Sequence, residues 1–445
     1  SKFKKFPEAG TVYDYYFDPK KLTWEPWADL VTEYVPIAEQ TVSSIIVPTV
    51  DIIRIKAVIE LHVQGRRGTM FVGGSGTGKT TIAKDYLSCL NSEEVQNSAI
   101  NFNNYTDSMA LQRFIESNVE KRMGREYGPP ANKQLIFFID DLNMPYVDTY
   151  GTQSPIALLI QLMNYYQMFD RDHLEEQKKL KDIQFMACMN PKAGSFTVDP
   201  RLQRHFTTFG TMLPSQEILV HIYSSILGGH LNQFDTKISK LKDKVIDATL
   251  ELFKLISANP EFAPSAKKFH YQFNLRDISR IIGGVMQSQP GLYRGAVDNF
   301  VKLWMHECDR TFLDRLIADK DVEVYKEYLN RCCKKFEDEA SQEIYAEPNI
   351  FTSFVSAHGG DPAYLPIKDM AQLKRVLLDK LDEYNESNAQ MNLVLFDIAM
   401  EHVCRVARIL DMPGGNALLV GVGGSGKQSL SRLAAFILGY DVISI

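Results

Sequence analysis

The sequence predicts an α/β protein, with a three-layer α/β/α domain built on a parallel sheet, an α-helical lid, and the start of a second domain of the first kind. Three observations carry this reading. Residues 73–80, Gly-Gly-Ser-Gly-Thr-Gly-Lys-Thr, fit the phosphate-loop pattern G-x-x-x-x-G-K-[ST] between an apolar strand and a helical pattern. The apolar run Leu135 to Ile139 ends in two carboxylates, Asp140 and Asp141. The same glycine-rich loop returns at residues 421–427, with Lys427 placed 348 residues after Lys79.

Each loop is preceded by a helical pattern (Ile52 to Leu61; Leu395 to Leu410), a short turn and an apolar strand (Thr69 to Val72; Ala417 to Val420). Between the loops, strands are predicted at Ile100 to Asn103, Leu135 to Ile139, Ile183 to Met189 and His205 to Phe209, spaced as in βαβ units. Leu213-Pro214 breaks the pattern, a helix is predicted over Gln216 to Leu227, and mainly helical periodicity follows to about Ala318. The expected organisation is therefore the end of a preceding module over 1–44, an α/β nucleotide-binding domain over 45–212, and a helical lid over 213–318. A polar connection follows over 319–380, with a short strand at Ile350 to Val355, and the start of the next module over 381–445.

Length and composition agree. The chain's 445 residues correspond to about three domains at roughly 150 residues each. With 49 basic against 55 acidic side chains and a net charge of −6, an electrostatic grip on nucleic acid or anionic lipid is disfavoured. Six scattered cysteines without C-x-x-C spacing predict free thiols in a reducing compartment, and no apolar run predicts a signal peptide or a spanning helix. The missing initial Met and the close of the sequence just after the second loop predict a segment of something longer.

The chemistry of the first loop follows from its residue types. Glycines Gly73, Gly74, Gly76 and Gly78 let backbone N–H groups close around phosphates, with Ser75 and Thr77 between them. Lys79 neutralises phosphate oxygens, Thr80 supplies a hydroxyl for Mg²⁺, and Thr81 is expected beside it among the nucleotide-binding residues. The bland alternative, a glycine-rich hairpin with a chance Gly-Lys-Thr, does not explain the flanking strand and helix. Sixty-one residues after Lys79, Asp140 is placed to hold the metal and Asp141 to polarise the attacking water. Asn190, at the end of another apolar strand and before Pro191, is either a polar group facing the phosphates or a plain turn residue. Arg201 and Arg204 share a helical face, as arginine fingers or as ordinary surface arginines.

The second loop has Gly421, Gly423, Gly424, Ser425, Gly426 and Lys427 in place, but Gln428 at the hydroxyl position and Ser429 one residue late. An amide is a longer and poorer magnesium ligand, so nucleotide binding with altered metal geometry is expected there. His306-Glu307-Cys308 lacks the ligand count of a metal site and reads as packing. Glu175, Glu176, Lys178, Lys179 and Lys181 read as a solvated helix or loop, and Cys332-Cys333 as free thiols.

Taken together, the first loop, Phe137 to Pro145 (FFIDDLNMP), Tyr150 to Leu159, Ala187 to Phe206, Phe273 to Arg280, Leu303 to Leu316 and Gly415 to Ala434 resemble the dynein heavy chains. They match the third AAA+ module and the start of the fourth, in the wording of axonemal dyneins. The resemblance implies ATP or ADP with Mg²⁺ as ligands, adenine contacts from Val47, Pro48 and Thr49, and Asn190 set between the water and the γ-phosphate. It implies that Arg276 is the lid arginine reaching the phosphates, and that Arg201 and Arg204 face the site of the preceding module. AAA+ ATPases most often place Glu where this chain has Asp141, so hydrolysis at this site is expected to be slow. The implied partners are the other AAA+ modules of one ring, with intermediate chains, light chains and microtubules reached through other parts of the heavy chain. The implied location is the cytoplasm and cytoskeleton, in the ciliary or flagellar axoneme, without nucleic acid or membrane. Two rival readings are a permanently occupied structural nucleotide joint and an unrelated tandem AAA+ remodelling ATPase.

Overall fold

The computed structural model describes residues 5–36, 42, 44–192, 198–355 and 363–444. They divide into two units, Ser1–Tyr34 with Ile46–Ser215, and Val35–Ile45 with Gln216–Ile445.

The first unit opens with an antiparallel hairpin, β1 (Tyr15–Asp18) and β2 (Thr23–Pro26), whose Trp24 meets Phe6 and Phe17 edge-on at 5.1 and 5.3 Å. Helix α1 (Val50–Gln64) follows, its first turn capped by Thr49 Oγ1, which accepts from the Ile52 N–H. Next come β3 (Gly68–Gly73), α2 (Lys79–Ser88), β4 (Val95–Asn101) and α3 (Ser108–Glu116). Two short strands, β5 (Glu120–Lys121) and β6 (Glu126–Gly128), lead to β7 (Gln134–Asp140) and α4 (Ser154–Tyr165). The unit closes with β8 (Gln167–Phe169), β9 (Gln177–Leu180), β10 (Ile183–Met189), α5 (Pro200–Gln203) and β11 (Phe206–Thr211).

The central sheet has the order β11-β3-β10-β7-β4, every pair parallel. Because side chains alternate along a strand, Leu135, Phe137 and Ile139 of β7 join one core with Leu111, Ile115, Leu159 and Leu162 of α3 and α4. Ile136 and Phe138 join the other core with Ile59 of α1 and Ile82, Ala83 and Tyr86 of α2. A strand buried on both faces reads as a continuous apolar run, and β10 is buried at every residue. The three-layer expectation holds. The expected strand at Ile100 to Asn103 instead begins at Val95 and ends at Asn101, because its Val-Gln-Asn-Ser start lies at the sheet edge and is only half buried.

A second sheet, β5-β6-β9-β8, was not foreseen. It corrects the solvated reading of the 175–181 run, since Gln177–Leu180 is a strand. Its Lys178 pairs with Glu116 at 2.9 Å and Asp170 at 2.7 Å, and that ammonium holds the Asp170 carboxyl down at about 2.

The second unit is mainly helical: α6 (Gln216–Leu231), α7 (Thr236–Ser239), α8 (Lys242–Ala258), α9 (Leu275–Val285), α10 (Val297–Thr311) and α11 (Asp319–Cys333). A two-residue pairing of β12 (Phe351–Thr352) with β13 (Leu365–Pro366) precedes α12 (Met370–Ser387), α13 (Asp397–Asp411) and α14 (Lys427–Ile437). The polar connection thus carries a full helix, α11, and the boundary expected at 380/381 falls inside α12. The strand expected at Ala417 to Val420 does not form: no strand among the described residues pairs with it, and Leu418 and Val420 are exposed. A parallel strand without a ladder partner leaves its N–H and C=O groups to water.

Helices α10 and α13 are joined by charge as well as by packing. Glu307, fully buried, accepts from Arg408 Nε at 3.0 Å, pairs with Arg408 Nη2, and accepts from Tyr364 Oη at 2.8 Å. Gly284 of α9 lies so close that a Cβ there would overlap the Glu307 carboxylate. His306 is buried beside it and donates through Nδ1 to the Asn349 carbonyl at 2.9 Å, so the His-Glu-Cys triplet is packing, as read. No group of metal-ligating side chains occurs among the described residues, and none of their helices is long and apolar enough to cross a membrane.

Breaking a buried pair leaves one charge uncompensated, so Arg408→Met should destabilise the fold by about 3–5 kcal/mol in urea melts. The double variant Glu307→Met with Arg408→Met should recover most of that loss; a double variant as unstable as the single one would refute the charge account. Asp309, also on α10, accepts from Tyr325 Oη at 3.0 Å, and burial raises its carboxyl from 3.8 to about 6. The fold favours the neutral acid, so this group's contribution is full below about pH 4 and is lost as pH rises through about 6. Asp309→Asn should therefore leave stability near pH 4 unchanged and raise it by up to about 3 kcal/mol at pH 8.

Candidate functional site

The parallel register brings the C-terminal ends of all five strands to one edge. Val72 lies beside Met189, Gly73 beside Thr211, and Asn101 beside Asp140. The phosphate loop leaves β3 at Gly73 and enters α2 at Lys79. Gly76 and Gly78 have φ of 79° and 82°, left-handed values that favour glycine. Lys79 Nζ donates to the Gly73 and Gly74 carbonyls at 2.8 and 2.7 Å. Thr77 is buried and donates through its hydroxyl to the Gly74 carbonyl at 3.1 Å, closing the loop on itself.

Thr80 Oγ1 donates to Asp140 Oδ1 at 3.0 Å across 60 residues. A hydroxyl and a carboxylate this close, at the foot of a lysine-bearing loop, form the oxygen donor set that Mg²⁺ prefers. Asp141 follows, exposed, with its own N–H donating to Asp140 Oδ1 at 3.1 Å. Asn190 stands directly after β10, level with the start of the loop, and its Oδ1 accepts from the Lys192 N–H at 3.0 Å. Thr81 lies in the first turn of α2, Val47 and Thr49 are buried ahead of α1, and Pro48 is half-buried between them. Below the edge, burial and the nearby Asp140 charge push the Cys188 thiol up, so this cysteine stays a neutral core residue.

The remaining expected residues lie apart from the phosphate loop or in the other unit. Arg201 and Arg204 are exposed and line a separate cavity of 660 Å³ with Ile160, Asn164 and Phe169, and Arg204 Nη2 donates to Asn164 Oδ1 at 2.6 Å. Arg276 is in the second unit, exposed in the first turn of α9, where Asn274 caps the helix and Arg280 and Arg315 pair with the buried Asp277. The second loop repeats the backbone of the first: Gly424 and Gly426 have φ of 77° and 76°, and Lys427 Nζ donates to the Gly421 and Val422 carbonyls at 2.6 and 2.7 Å. Gly421, Gly423 and Ser425 are exposed, as is Gln428, and Ser429 is half-buried.

Three residues of the first site escaped sequence reading. Thr211 ends β11 and meets Thr77 Oγ1 at 3.2 Å through its own hydroxyl, backing the loop from 134 residues away. Asn143 and Gln153, both buried, bond around the turn after β7. Nothing local marks them: each is a common polar residue whose partner is set by the fold.

A Cβ added at Gly73 would overlap both the hydroxyl and the carbonyl oxygen of Thr211. Gly73→Ala should therefore lower the melting temperature and weaken nucleotide retention together. Pairing it with Thr211→Ala should not restore either, because the carbonyl clash remains; full rescue by that pair would show that the side chain alone sets the constraint.

Comparison with known proteins is consistent across both loops. The family model described as "P-loop containing dynein motor region" matches residues 34–214, that of the "AAA+ lid domain" matches 245–346, and "P-loop containing dynein motor region D4" matches 391–445. Dynein axonemal heavy chain 17 of Homo sapiens is 45% identical over 444 residues, covering 99% of this chain and 10% of its own length. The ciliary dynein beta chain of Tripneustes gratilla is 44% identical over 444 residues, with the same coverage. The flagellar outer-arm dynein beta chain of Chlamydomonas reinhardtii is 44% identical over 448 residues. The chain thus spans about a tenth of the length of these relatives. With 44–45% identity along nearly its whole length and motor-region models on both of its phosphate loops, the chain belongs to the dynein heavy-chain family.

Proposed function

We propose that the edge of the first sheet binds ATP or ADP with Mg²⁺, and that its occupancy regulates ATP-driven, microtubule-based movement in a ciliary or flagellar axoneme, with slow hydrolysis at this site. The observation that carries the reading is the Thr80–Asp140 bond of 3.0 Å beneath the loop that holds Lys79. In the bound state Lys79 would leave its carbonyl partners for phosphate oxygens, while loop N–H groups and the start of α2 supply positive potential. Thr80 and Asp140 would hold Mg²⁺, which offsets charge on the phosphates. Val47, Pro48 and Thr49 would meet the adenine.

Asp141 would accept the proton of the attacking water, with Asn190 orienting that water towards the γ-phosphate. Asp is one methylene shorter than the usual Glu, and about 1 Å of misplacement is enough to slow turnover about a hundredfold. Arg276 would read the phosphates from the lid, while Arg201 and Arg204 would serve the site of a neighbouring module of the ring. The second loop would hold nucleotide with weaker metal support from Gln428 and Ser429. Intermediate chains, light chains and microtubules would be met by other parts of the heavy chain.

A second reading, a nucleotide held permanently as a joint of the ring, draws support from the same short Asp141. Exchange of bound nucleotide decides between them: release within a few motor cycles supports regulation, and retention over many supports the joint.

In a full heavy chain, Lys79→Ala should weaken labelling of this site by an azido-ATP probe about tenfold to a hundredfold. Asp141→Asn should keep that labelling while abolishing the Lys79-dependent part of turnover, and Asp141→Glu should raise it. Unchanged labelling in Lys79→Ala would sink the proposed site.

A further inference from the structure

The turn that follows β7 is tied to the rest of the site by side chains that the proposed chemistry does not use. Asn143 is 1% exposed, and its Nδ2 donates to the main-chain carbonyl of Asn190 at 3.0 Å. Gln153, 6% exposed, donates through Nε2 to the Pro145 carbonyl at 2.7 Å and reaches the Asn143 carbonyl at 3.5 Å. Two backbone bonds shape the turn itself, from the Leu142 N–H to the Cys188 carbonyl and from the Met144 N–H to the Asp141 carbonyl, both at 3.0 Å.

The position of the Asn143 bond gives it its meaning. The ladder between β7 and β10 ends at Ile139 opposite Ala187. Leu142 and Cys188 extend the connection by one main-chain bond. Asp141 lies between the end of the ladder and this bond, and one residue past the bond the amide of Asn143 reaches across to the main chain of Asn190 itself. The bond adds little to a sheet already paired along its length. It fixes the distance between two loops, one bearing the proposed base and the other the proposed water-orienting amide.

We infer that Asn143 is a positioning residue for hydrolysis, holding the Asp141 turn and the Asn190 turn at one spacing so that both side chains address the same water. The inference rests on the site reading of the preceding section. A buried amide suits this task because its donor has a direction, whereas an apolar contact of the same volume would let the turns slide. Gln153, at the N-cap of α4, supports the same turn from its other side.

The test uses a full heavy chain and counts only the turnover that disappears in Lys79→Ala. Asn143→Leu keeps the volume and removes the donor; it should lower that turnover about tenfold to a hundredfold, with azido-ATP labelling of the site unchanged within about twofold. Asn143→Asp keeps the shape but loses the N–H, and should fall equally. Gln153→Leu should fall in the same direction by less, and it decides the matter if the Asn143 variants do not fold. Unchanged turnover in Asn143→Leu overturns the inference, and so does a parallel loss of labelling and turnover, the mark of a merely structural residue. Wild-type labelling without Lys79-dependent turnover overturns it while the binding site stands; no Lys79-dependent labelling overturns both.

Discussion

The register of one parallel sheet governs everything the first unit can do. Strands that run in the same direction deliver all their C-terminal ends to one edge, and here Gly73, Asp140, Met189 and Thr211 arrive there together. The inner strands β3, β7 and β10 are buried on both faces between two cores, one packed against α3 and α4 and the other against α1 and α2. A one-residue slip would turn Phe137 towards the wrong helices and also move Asp140 away from Thr80, so stability and site geometry are enforced by the same contacts. The closeness of β3 and β11 at that edge is also why the loop must start with glycine, since Thr211 occupies the space a side chain would need.

The parts of this arrangement legible in the sequence are those with a local cause. Continuous apolar runs gave away the inner strands β3, β7 and β10, and the loop residues 73–80 form a motif whose residue types follow from phosphate chemistry. Polar strand segments did not announce themselves: β4 starts with Val-Gln-Asn-Ser, and β9 is Gln-Lys-Lys-Leu, stabilised by the ion pairs of Lys178 and not by apolar alternation. The apolar stretch at 417–420 shows the converse, because apolar residues make a strand only where a partner offers its backbone. Thr211, Asn143 and Gln153 were illegible for a further reason. Their partners lie 134, 47 and 8 residues away, and such pairs follow only from the completed topology.

In the second unit the comparable constraint is electrostatic. Glu307 and Arg408 are 101 residues apart in sequence and meet where the carboxylate is fully buried and the guanidinium nearly so, with Tyr364 satisfying the carboxylate further. Desolvating both groups is costly, and the pair stabilises the fold only because its geometry is complete. Burial drives the neighbouring His306 well below the usual imidazole range and the Tyr364 hydroxyl upward, so these two groups stay neutral beside the pair. An apolar seam would tolerate small rotations of α10 against α13. A fork of two hydrogen bonds from one guanidinium tolerates far less, which makes this contact a fixed joint between the lid helices and the helix that leads into the second loop.

Asp141 shows backbone and chemistry pulling against each other within one residue. Its φ is 54°, a left-handed value at the point where the chain leaves β7 and turns under the site. Among residues with a Cβ, Asp and Asn enter that region at least cost because their short polar side chains bond locally, whereas a longer Glu gains nothing there. An Asp at this position relaxes the turn and retracts the carboxylate by one methylene. The retraction matters only as much as the turn is held still, because a mobile turn would recover reach at the expense of aim. With Leu142, Asn143 and Gln153 all bonded around it, the turn is held, and the shorter carboxylate stays short. Under the proposed function, slow chemistry at a firmly built site is what the two features would produce together.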